Sequence, residues 1–254
     1  MRIKTTHFVT FITMLVFLSC KENSTKVYKI SGKEIKITDS LQGIDSLKNF
    51  ITPYRTHIEE VLDEPLAFST TSLSKDQGEL NTAIGNLMAD ITYEQSNPVF
   101  HKRTGKNIDF VLLNHGGIRA SLPKGNISRR TAYQLMPFEN KILVLELSSE
   151  KIEELIEYLV TNQRAHPICK QIQIVLNKDN SLNSVTINGE SIDKEQTYFV
   201  ATSDYLASGG DKMDFFKNPI SSTDLDYLLR NELIDYFQKV DTIRASIDNR
   251  FYKQ

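Results

Sequence analysis

Four stretches of the chain repeat apolar residues every three or four positions, which is the spacing of one face of a helix. The four stretches cover residues 44–62, 80–91, 152–160 and 225–237. Asp45 is a candidate cap for the first helix, and Pro53 is expected to kink it because proline removes a backbone donor. Acidic residues stand early in the third stretch, where the helix dipole favours them. The pattern therefore predicts four helices.

Shorter apolar runs lie between these predicted helices and are typical of strands. Residues 108–113 are interrupted only by Asp109, the pattern of a strand that is buried on both faces. Similar runs cover residues 141–147, 172–176, 185–187 and 198–202. Asn188-Gly189 follows one of these runs directly and indicates a hairpin turn. Strands that alternate with helices, with a hairpin among them, predict an α/β domain with a mixed sheet.

The first twenty residues differ from the rest of the chain. Residues 1–7 carry two basic residues and no acidic one, residues 8–18 are almost purely apolar, and Ser19-Cys20 follows. This order is typical of a secretory signal. The apolar run falls short of the roughly 20 residues that a membrane-spanning helix needs. We therefore expect residues 1–19 to be a signal peptide and the protein to be exported.

Leu18-Ser19-Cys20 resembles the cleavage site of bacterial lipoproteins, although Phe17 stands where leucine is commoner. Lys21-Glu22 resembles a surface-export signal of some of these lipoproteins. The resemblance implies lipidation of Cys20 and a location at the outer membrane or the cell surface. Acyl chains would hold the protein to the membrane, since each buried methylene contributes about 0.8 kcal/mol. An ordinary signal peptide with an incidental cysteine is the alternative.

The remaining chain divides into a polar tether and one domain. Residues 20–42 are polar and lysine-rich, and the alternation over residues 33–37 predicts an edge strand there. No repeat or linker divides residues 43–254, which we take as one domain. With 30 basic and 32 acidic residues and no run of Lys or Arg, a nucleic acid polymer is not an expected partner.

Composition excludes a disulfide-stabilised scaffold and a zinc site built from cysteines. Hydrophobic residues make up 40% of the chain, which is ordinary for a globular protein. Two cysteines are too few for a disulfide scaffold or a cysteine-based zinc site. If Cys20 is lipidated, Cys169 is a lone thiol, which is more often a small buried apolar residue than a reactive one.

Three segments carry candidate binding chemistry. Residues 114–120 read Asn-His-Gly-Gly-Ile-Arg-Ala and directly follow the predicted strand 108–113. Paired glycines let a backbone approach a ligand closely, and the flanking Asn and Arg offer an amide and a guanidinium group. Residues 135–140 place Phe138 beside a proline where a strand begins, and residues 203–211 hold a Tyr, a glycine pair and an acid. Taken singly, each segment is explained about as well by a turn or a core aromatic.

In this order and spacing, Asn-x-Gly-Gly-Ile-Arg, Pro-Phe-x-Asn and Asp-Tyr-Leu-Ala-x-Gly-Gly-Asp resemble the C-terminal domain of 5′-nucleotidases. Upstream, residues 84–90 match the Leu-Gly-Asn-Leu-x-Ala-Asp helix of that domain. The resemblance covers residues 43–254. It implies a four-layer α/β/β/α domain with a mixed sheet that recognises a nucleoside or nucleotide.

The resemblance also implies roles for individual residues. Phe138 and Tyr205 would sandwich the base, and such stacking is worth about 1–3 kcal/mol per base. Asn114 would contact the base, Asp211 would accept from ribose hydroxyls, and Arg119 would face the ribose and phosphates. The loops around them would be shaped by glycines, namely Gly116, Gly117, Gly209 and Gly210.

Three positions depart from the family pattern. Gly78 stands where the family usually has a phosphate-binding Arg, and Asn81 stands where Glu is common. One phosphate-binding group is therefore expected to be missing; Lys75 is a nearby cation, but nothing in the sequence shows that it substitutes. His115 stands where the family usually has Gly, and we expect it to be an exposed loop residue without a catalytic role.

The catalytic half of these enzymes has no counterpart in this sequence. Full-length members carry a metallophosphatase domain whose two metal ions need Asp-x-His, Asn-His-Glu and His-x-His clusters. None of these clusters occurs, and residues 20–42 are too few to hold such a domain. We therefore expect no catalytic residue and no cofactor in this chain, with divalent metals only in a partner chain.

Three interpretations stay open at this stage. The chain is either the recognition subunit of a split 5′-nucleotidase, with a separate metallophosphatase chain, or a free-standing nucleotide-binding lipoprotein without a catalytic role. A degenerate domain that has kept the fold and lost the site is the third.

Overall fold

The computed structural model describes residues 5–17, 26–38 and 40–254, and contacts divide the chain into units Met1–Phe50 and Ile51–Gln254. In the first unit, α1 covers Thr5–Phe17. The predicted edge strand at 33–37 is wrong, because this segment forms no strand and Ile35 and Ile37 are 78% and 90% exposed. Alternating apolar residues stabilise a strand only when a neighbour pairs with it and one face is buried. The predicted lipidation site, Cys20, lies outside the described residues.

Each of the four predicted helices has an observed counterpart, but the one predicted over 80–91 continues to Thr104, and two short helices at 129–135 and 204–207 are not predicted from the sequence. The observed helices after α1 are α2 (Asp45–Asp63), α3 (Ala83–Thr104), α4 (Arg129–Leu135), α5 (Ser149–Asn162), α6 (Asp204–Ala207) and α7 (Leu229–Lys239). Helix α2 continues past Pro53, and Thr82 caps α3 by accepting from the Gly85 amide at 3.0 Å. The helix predicted over 225–237 begins only at Leu229, because the residues before it form a strand. Within the described residues, no helix has both the length and the apolarity to cross a membrane.

In the part of the chain that the structure describes, ten strands form three small sheets, and each sheet contains both parallel and antiparallel pairs. The strands are β1 (Pro65–Ser69), β2 (Phe110–Val111), β3 (Gly125–Ser128), β4 (Lys141–Ser148), β5 (Ile172–Leu176), β6 (Leu182–Ile187), β7 (Thr197–Ser203), β8 (Ser221–Leu228), β9 (Thr242–Ile243) and β10 (Phe251–Lys253). Their orders are β3-β1-β9, β10-β5-β6 and β2-β7-β4-β8. The mixed α/β class is confirmed, with three mixed sheets in place of one. At the predicted hairpin, Asn188 and Gly189 both have positive φ and join Ile187 to Glu190.

The sheet β2-β7-β4-β8 brings three loops to one edge. Strand β2 is shorter than the predicted 108–113, although five of those six residues are buried. Asp109 interrupts the apolar run because its carboxylate accepts from the Phe199 amide at 2.7 Å. Strands β2 and β7 are parallel, and β4 is antiparallel to β7. The loops after β2 and β7 and the loop before β4 therefore meet at the same edge of the sheet.

Two buried side chains tie distant parts of the core together. Cys169 is fully buried, and the Val111 amide donates to its Sγ at 3.1 Å, so this cysteine is a core residue as predicted. The Arg250 guanidinium, 5% exposed, is paired with Asp90 at 2.9 Å and with Asp248 at 2.7 Å. These pairs join α3 to the segment that precedes β10.

Candidate functional site

A cavity of about 380 Å³ opens at the sheet edge where the three loops meet. It is lined by Asn114, Gly116, Gly117, Arg119, Met136, Phe138, Asn140, Tyr205 and Asp211. The structure thus brings together all five side chains that the sequence predicts to bind substrate. Met136 and Asn140 also line the cavity, although neither is among the predicted binding residues.

Two aromatic rings dominate the apolar lining. Phe138 is 41% exposed and Tyr205 is 44% exposed, so neither ring is a core residue. Both rings, with Asn140, also line a more open cavity of about 480 Å³ that includes Asp204 and Ser208. Because planar rings beside open space offer their faces to a ligand, this arrangement suits an aromatic heterocycle.

The Asp211 carboxylate lies between two hydrogen-bond donors. The Asn114 amide Nδ2 donates to one carboxylate oxygen at 2.9 Å, and the Tyr205 hydroxyl donates to the other at 2.9 Å. The Asp211 amide donates back to the Tyr205 hydroxyl at 3.2 Å, and the Tyr158 hydroxyl donates to the Asp211 carbonyl at 2.9 Å. Tyr158 belongs to α5 and to none of the sequence motifs.

The turn that carries Asp211 needs its glycines. Gly209 has φ +91°, and a Cβ at Gly210 would lie 2.5 Å from the Tyr205 ring. The absence of that Cβ lets the ring pack against the backbone. Asp211 and Lys212 have φ of 53° and 62°, a conformation uncommon outside glycine. Holding such residues costs on the order of 1 kcal/mol each, so the surrounding contacts must stabilise the turn.

Positive charge lies at the 114–119 loop. The Arg119 guanidinium lies 5.8 Å from the centroid of the Phe138 ring, within range of a cation–π contact, and donates to the Gly116 carbonyl at 3.4 Å. The Lys75 ammonium donates to the Ile118 carbonyl at 2.9 Å. Two cations therefore lie at the 114–119 loop: Arg119 belongs to it, and Lys75 comes from the connection between β1 and α3.

Two histidines, His115 and His166, make hydrogen bonds at the 114–119 loop. His115 is half-buried, so the prediction of an exposed residue is wrong. Its ring Nδ1 lies 3.1 Å from the Ala165 carbonyl, and burial lowers the pKa of the ring. The His115 amide donates to His166 Nδ1 at 3.2 Å. Burial lowers the pKa of His166 to about 4, so this ring is neutral near pH 7 and can accept that hydrogen bond. No motif in the sequence identified His166.

The two departures at positions 78 and 81 have structural reasons. Asn81 is buried, and its Nδ2 donates to the carbonyls of Asp248 at 3.0 Å and Phe251 at 2.8 Å. Its Oδ1 accepts from the Asn86 amide at 2.7 Å. Gly78 has φ +131°, and a Cβ there would lie 2.1 Å from the Asn81 carbonyl. An arginine at position 78 would therefore require a different local backbone.

Metal ligands are not grouped in the part of the chain that the structure describes. Within residues 5–17, 26–38 and 40–254, no three His, Cys, Asp or Glu side chains are placed to share a metal ion.

The fold is a mixed α/β domain with a cavity that two aromatic rings line. Residues 60–218 match the model of the family described as "5'-nucleotidase, C-terminal domain", and the chain belongs to this family.

Individual relatives agree with this family. The chain is 30% identical over 151 residues to protein UshA of Escherichia coli, an overlap of 57% of this chain and 26% of that protein. It is 25% identical over 197 residues to the trifunctional nucleotide phosphoesterase protein YfkN of Bacillus subtilis, or 71% of this chain and 13% of that protein. The crystal structure of a 5′-nucleotidase precursor from Thermus thermophilus shares the fold, with a TM-score of 0.67 at 21% identity over 82% of this chain and 43% of that one. This chain spans less than half the length of each of these relatives.

Proposed function

We propose that this chain is the nucleoside-recognising part of a 5′-nucleotidase-type phosphohydrolase and acts in nucleotide catabolism together with a separate metallophosphatase chain. The observation that carries the proposal is the cavity in which two half-exposed rings, Phe138 and Tyr205, face the same space as the Asn114–Asp211 pair. Its volume of about 380 Å³ lies in the range typical of small-molecule pockets.

The lining supplies one kind of group for each part of a nucleotide. Phe138 and Tyr205 stack on the base, a contact that tolerates different bases because every base has a π-face. Asn114 offers amide hydrogen bonds to the base edge, and the Asp211 carboxylate accepts from sugar hydroxyls. These pairings follow the family pattern and the chemistry of the side chains.

The phosphate side depends on the two cations at the 114–119 loop. Arg119 is exposed and makes one long hydrogen bond, so most of its donors are available to an anion. Lys75 is the second cation near this loop, where its ammonium donates to the Ile118 carbonyl. The exposed setting of Arg119 implies weak phosphate binding, because water screens charges there.

Hydrolysis itself is assigned to another chain. The sequence contains none of the Asp-x-His, Asn-His-Glu or His-x-His clusters that a two-metal phosphatase needs. The divalent metals and the attacking water would then come from a metallophosphatase that docks over this cavity. A lipid on Cys20 of an exported protein would confine this chain to a membrane surface. If the partner is anchored too, that confinement raises their effective concentration.

Hydrolysis of AMP by the purified components tests this division of labour. We expect no phosphate release from this chain alone, with or without Mn²⁺ or Zn²⁺. Adding it to a metallophosphatase encoded by a neighbouring gene should raise that enzyme's rate at matched metal concentration. Arg119→Ala should abolish much of the gain, because it removes a phosphate-side cation and leaves both rings in place.

Each result of this assay separates two accounts. Metal-dependent hydrolysis that survives rigorous purification of this chain would refute the non-catalytic assignment. If the partner's rate is unaffected while adenosine still binds, a free-standing nucleotide-binding lipoprotein is the better account. If adenosine does not bind either, the domain is degenerate.

A further inference from the structure

We propose that the hydroxyl groups of Tyr158 and Tyr205 are positioning groups that hold Asp211 for the two hydroxyls of a ribose. The pocket then selects ribonucleosides over nucleosides that lack the 2′ and 3′ hydroxyls. This inference rests on the proposed function, which already gives the sugar hydroxyls to Asp211, and adds to it two positioning hydroxyls, one of them on a residue, Tyr158, outside every family motif named above.

The carboxylate of Asp211 is partly occupied by the protein itself. A carboxylate offers about four lone-pair positions on its two oxygens. The Asn114 amide and the Tyr205 hydroxyl each occupy one position, on different oxygens, both at 2.9 Å. About one position remains on each oxygen, which matches the two O–H donors of a ribose diol. The same two contacts fix the plane of the carboxylate, so a diol meets acceptors that are already oriented.

The backbone of Asp211 is held by a different tyrosine. Asp211 and Lys212 are both in the left-handed region, which non-glycine residues seldom adopt without support. The Tyr158 hydroxyl donates to the Asp211 carbonyl at 2.9 Å and ties this turn to helix α5. The Tyr158 ring is itself fixed, since it packs edge-on against Phe215 at 5.5 Å and lies 5.8 Å from the His166 ring.

The Tyr205 hydroxyl has two partners on the same residue. It donates to an Asp211 carboxylate oxygen at 2.9 Å and accepts from the Asp211 amide at 3.2 Å. A phenylalanine would keep the stacking face and lose both contacts. Tyr205 therefore combines a base-stacking ring with a hydroxyl that orients the ribose acceptor.

Calorimetric titration with adenosine and with 2′,3′-dideoxyadenosine tests the inference. The wild-type protein should bind adenosine more tightly. Tyr158→Phe should weaken adenosine binding on the order of three- to tenfold, the worth of one net hydrogen bond, and leave dideoxyadenosine binding unchanged. Tyr252→Phe on β10 is the matched control, because this tyrosine lies outside the cavity lining, and it should leave both affinities unchanged.

The ratio of the two affinities separates positioning from a purely structural role. If Tyr158→Phe weakens both ligands equally, so that the ratio of their affinities is unchanged, the inference is overturned while the proposed function stands. If Tyr158→Phe does not fold, Tyr205→Phe decides instead, and a wild-type ratio in that variant would overturn it. A wild-type protein that binds neither nucleoside would overturn the proposed function and this inference with it.

Discussion

Phe138→Ala removes one face of the proposed base sandwich and should change ligand binding far more than folding. The ring is 41% exposed, so its truncation leaves no closed core cavity and the free energy of unfolding should change little. Stacking is worth about 1–3 kcal/mol per base. The dissociation constant of adenosine should therefore rise by about 5-fold to 150-fold, from a starting value between micromolar and millimolar.

The assay is isothermal titration of adenosine into both proteins, with circular dichroism to check the fold. Phe68→Ala is a matched control, because Phe68 on β1 is 43% exposed and does not line the cavity. It should leave adenosine affinity at the wild-type value. Unchanged adenosine binding in a folded Phe138→Ala variant would refute the proposed site, and an equal loss in Phe68→Ala would show that the effect is not local.

Three further predictions concern buried groups. Glu232 is fully buried beside Ser96, and burial raises its pKa well above 4.5. The stability that the protonated carboxyl contributes is therefore fully present below pH 4.5, and it is lost as the pH rises toward the raised pKa of the folded protein. Glu232→Gln should remove that loss, measured as a smaller drop in urea midpoint between pH 5 and pH 8 than in wild type. Burial raises the pKa of Cys169 to about 12, so iodoacetamide should label it in urea and not in the folded protein, checked by mass spectrometry. Arg250→Met should lower the free energy of unfolding by about 1–3 kcal/mol in urea titrations, because the buried Ile168 carbonyl loses its donor and the partly exposed carboxylates of Asp90 and Asp248 lose their partner.

Elements with strong internal periodicity could be predicted from the sequence, and elements that depend on a neighbour could not. Helix α5 and strands β4, β5 and β7 coincide with regular apolar patterns, and the first part of α3 lies within another. Strand β8 was missed because Leu225 and Leu228 fit helical spacing equally well, and only pairing with β4 makes the segment extended. The opposite error occurred at residues 33–37, where a strand-like alternation pairs with no strand among the described residues.

In the candidate site, too, residues within local motifs could be predicted, and residues that reach the site through tertiary packing could not. The five predicted binding residues became candidates because the short segments that hold them resemble motifs of a known family. Tyr158 and His166 were not, since each lies in a segment without a motif and reaches the site only through tertiary packing. Asn81 was read as a departure from the family pattern, whereas its amide satisfies backbone carbonyls that the sequence could not place beside it.

The hydrogen bonds of Asn81 have a consequence for the timing of folding. Its side-chain amide contacts backbone carbonyls that lie 167 and 170 positions further along the chain. Contacts between segments so far apart close large loops and are associated with slow folding. A ribosome makes the Asn81 end of this pair first, so the segment around it waits for Asp248 and Phe251 to be synthesised. The residues that lead into α3 therefore gain these contacts only after residues 248–251 have been made.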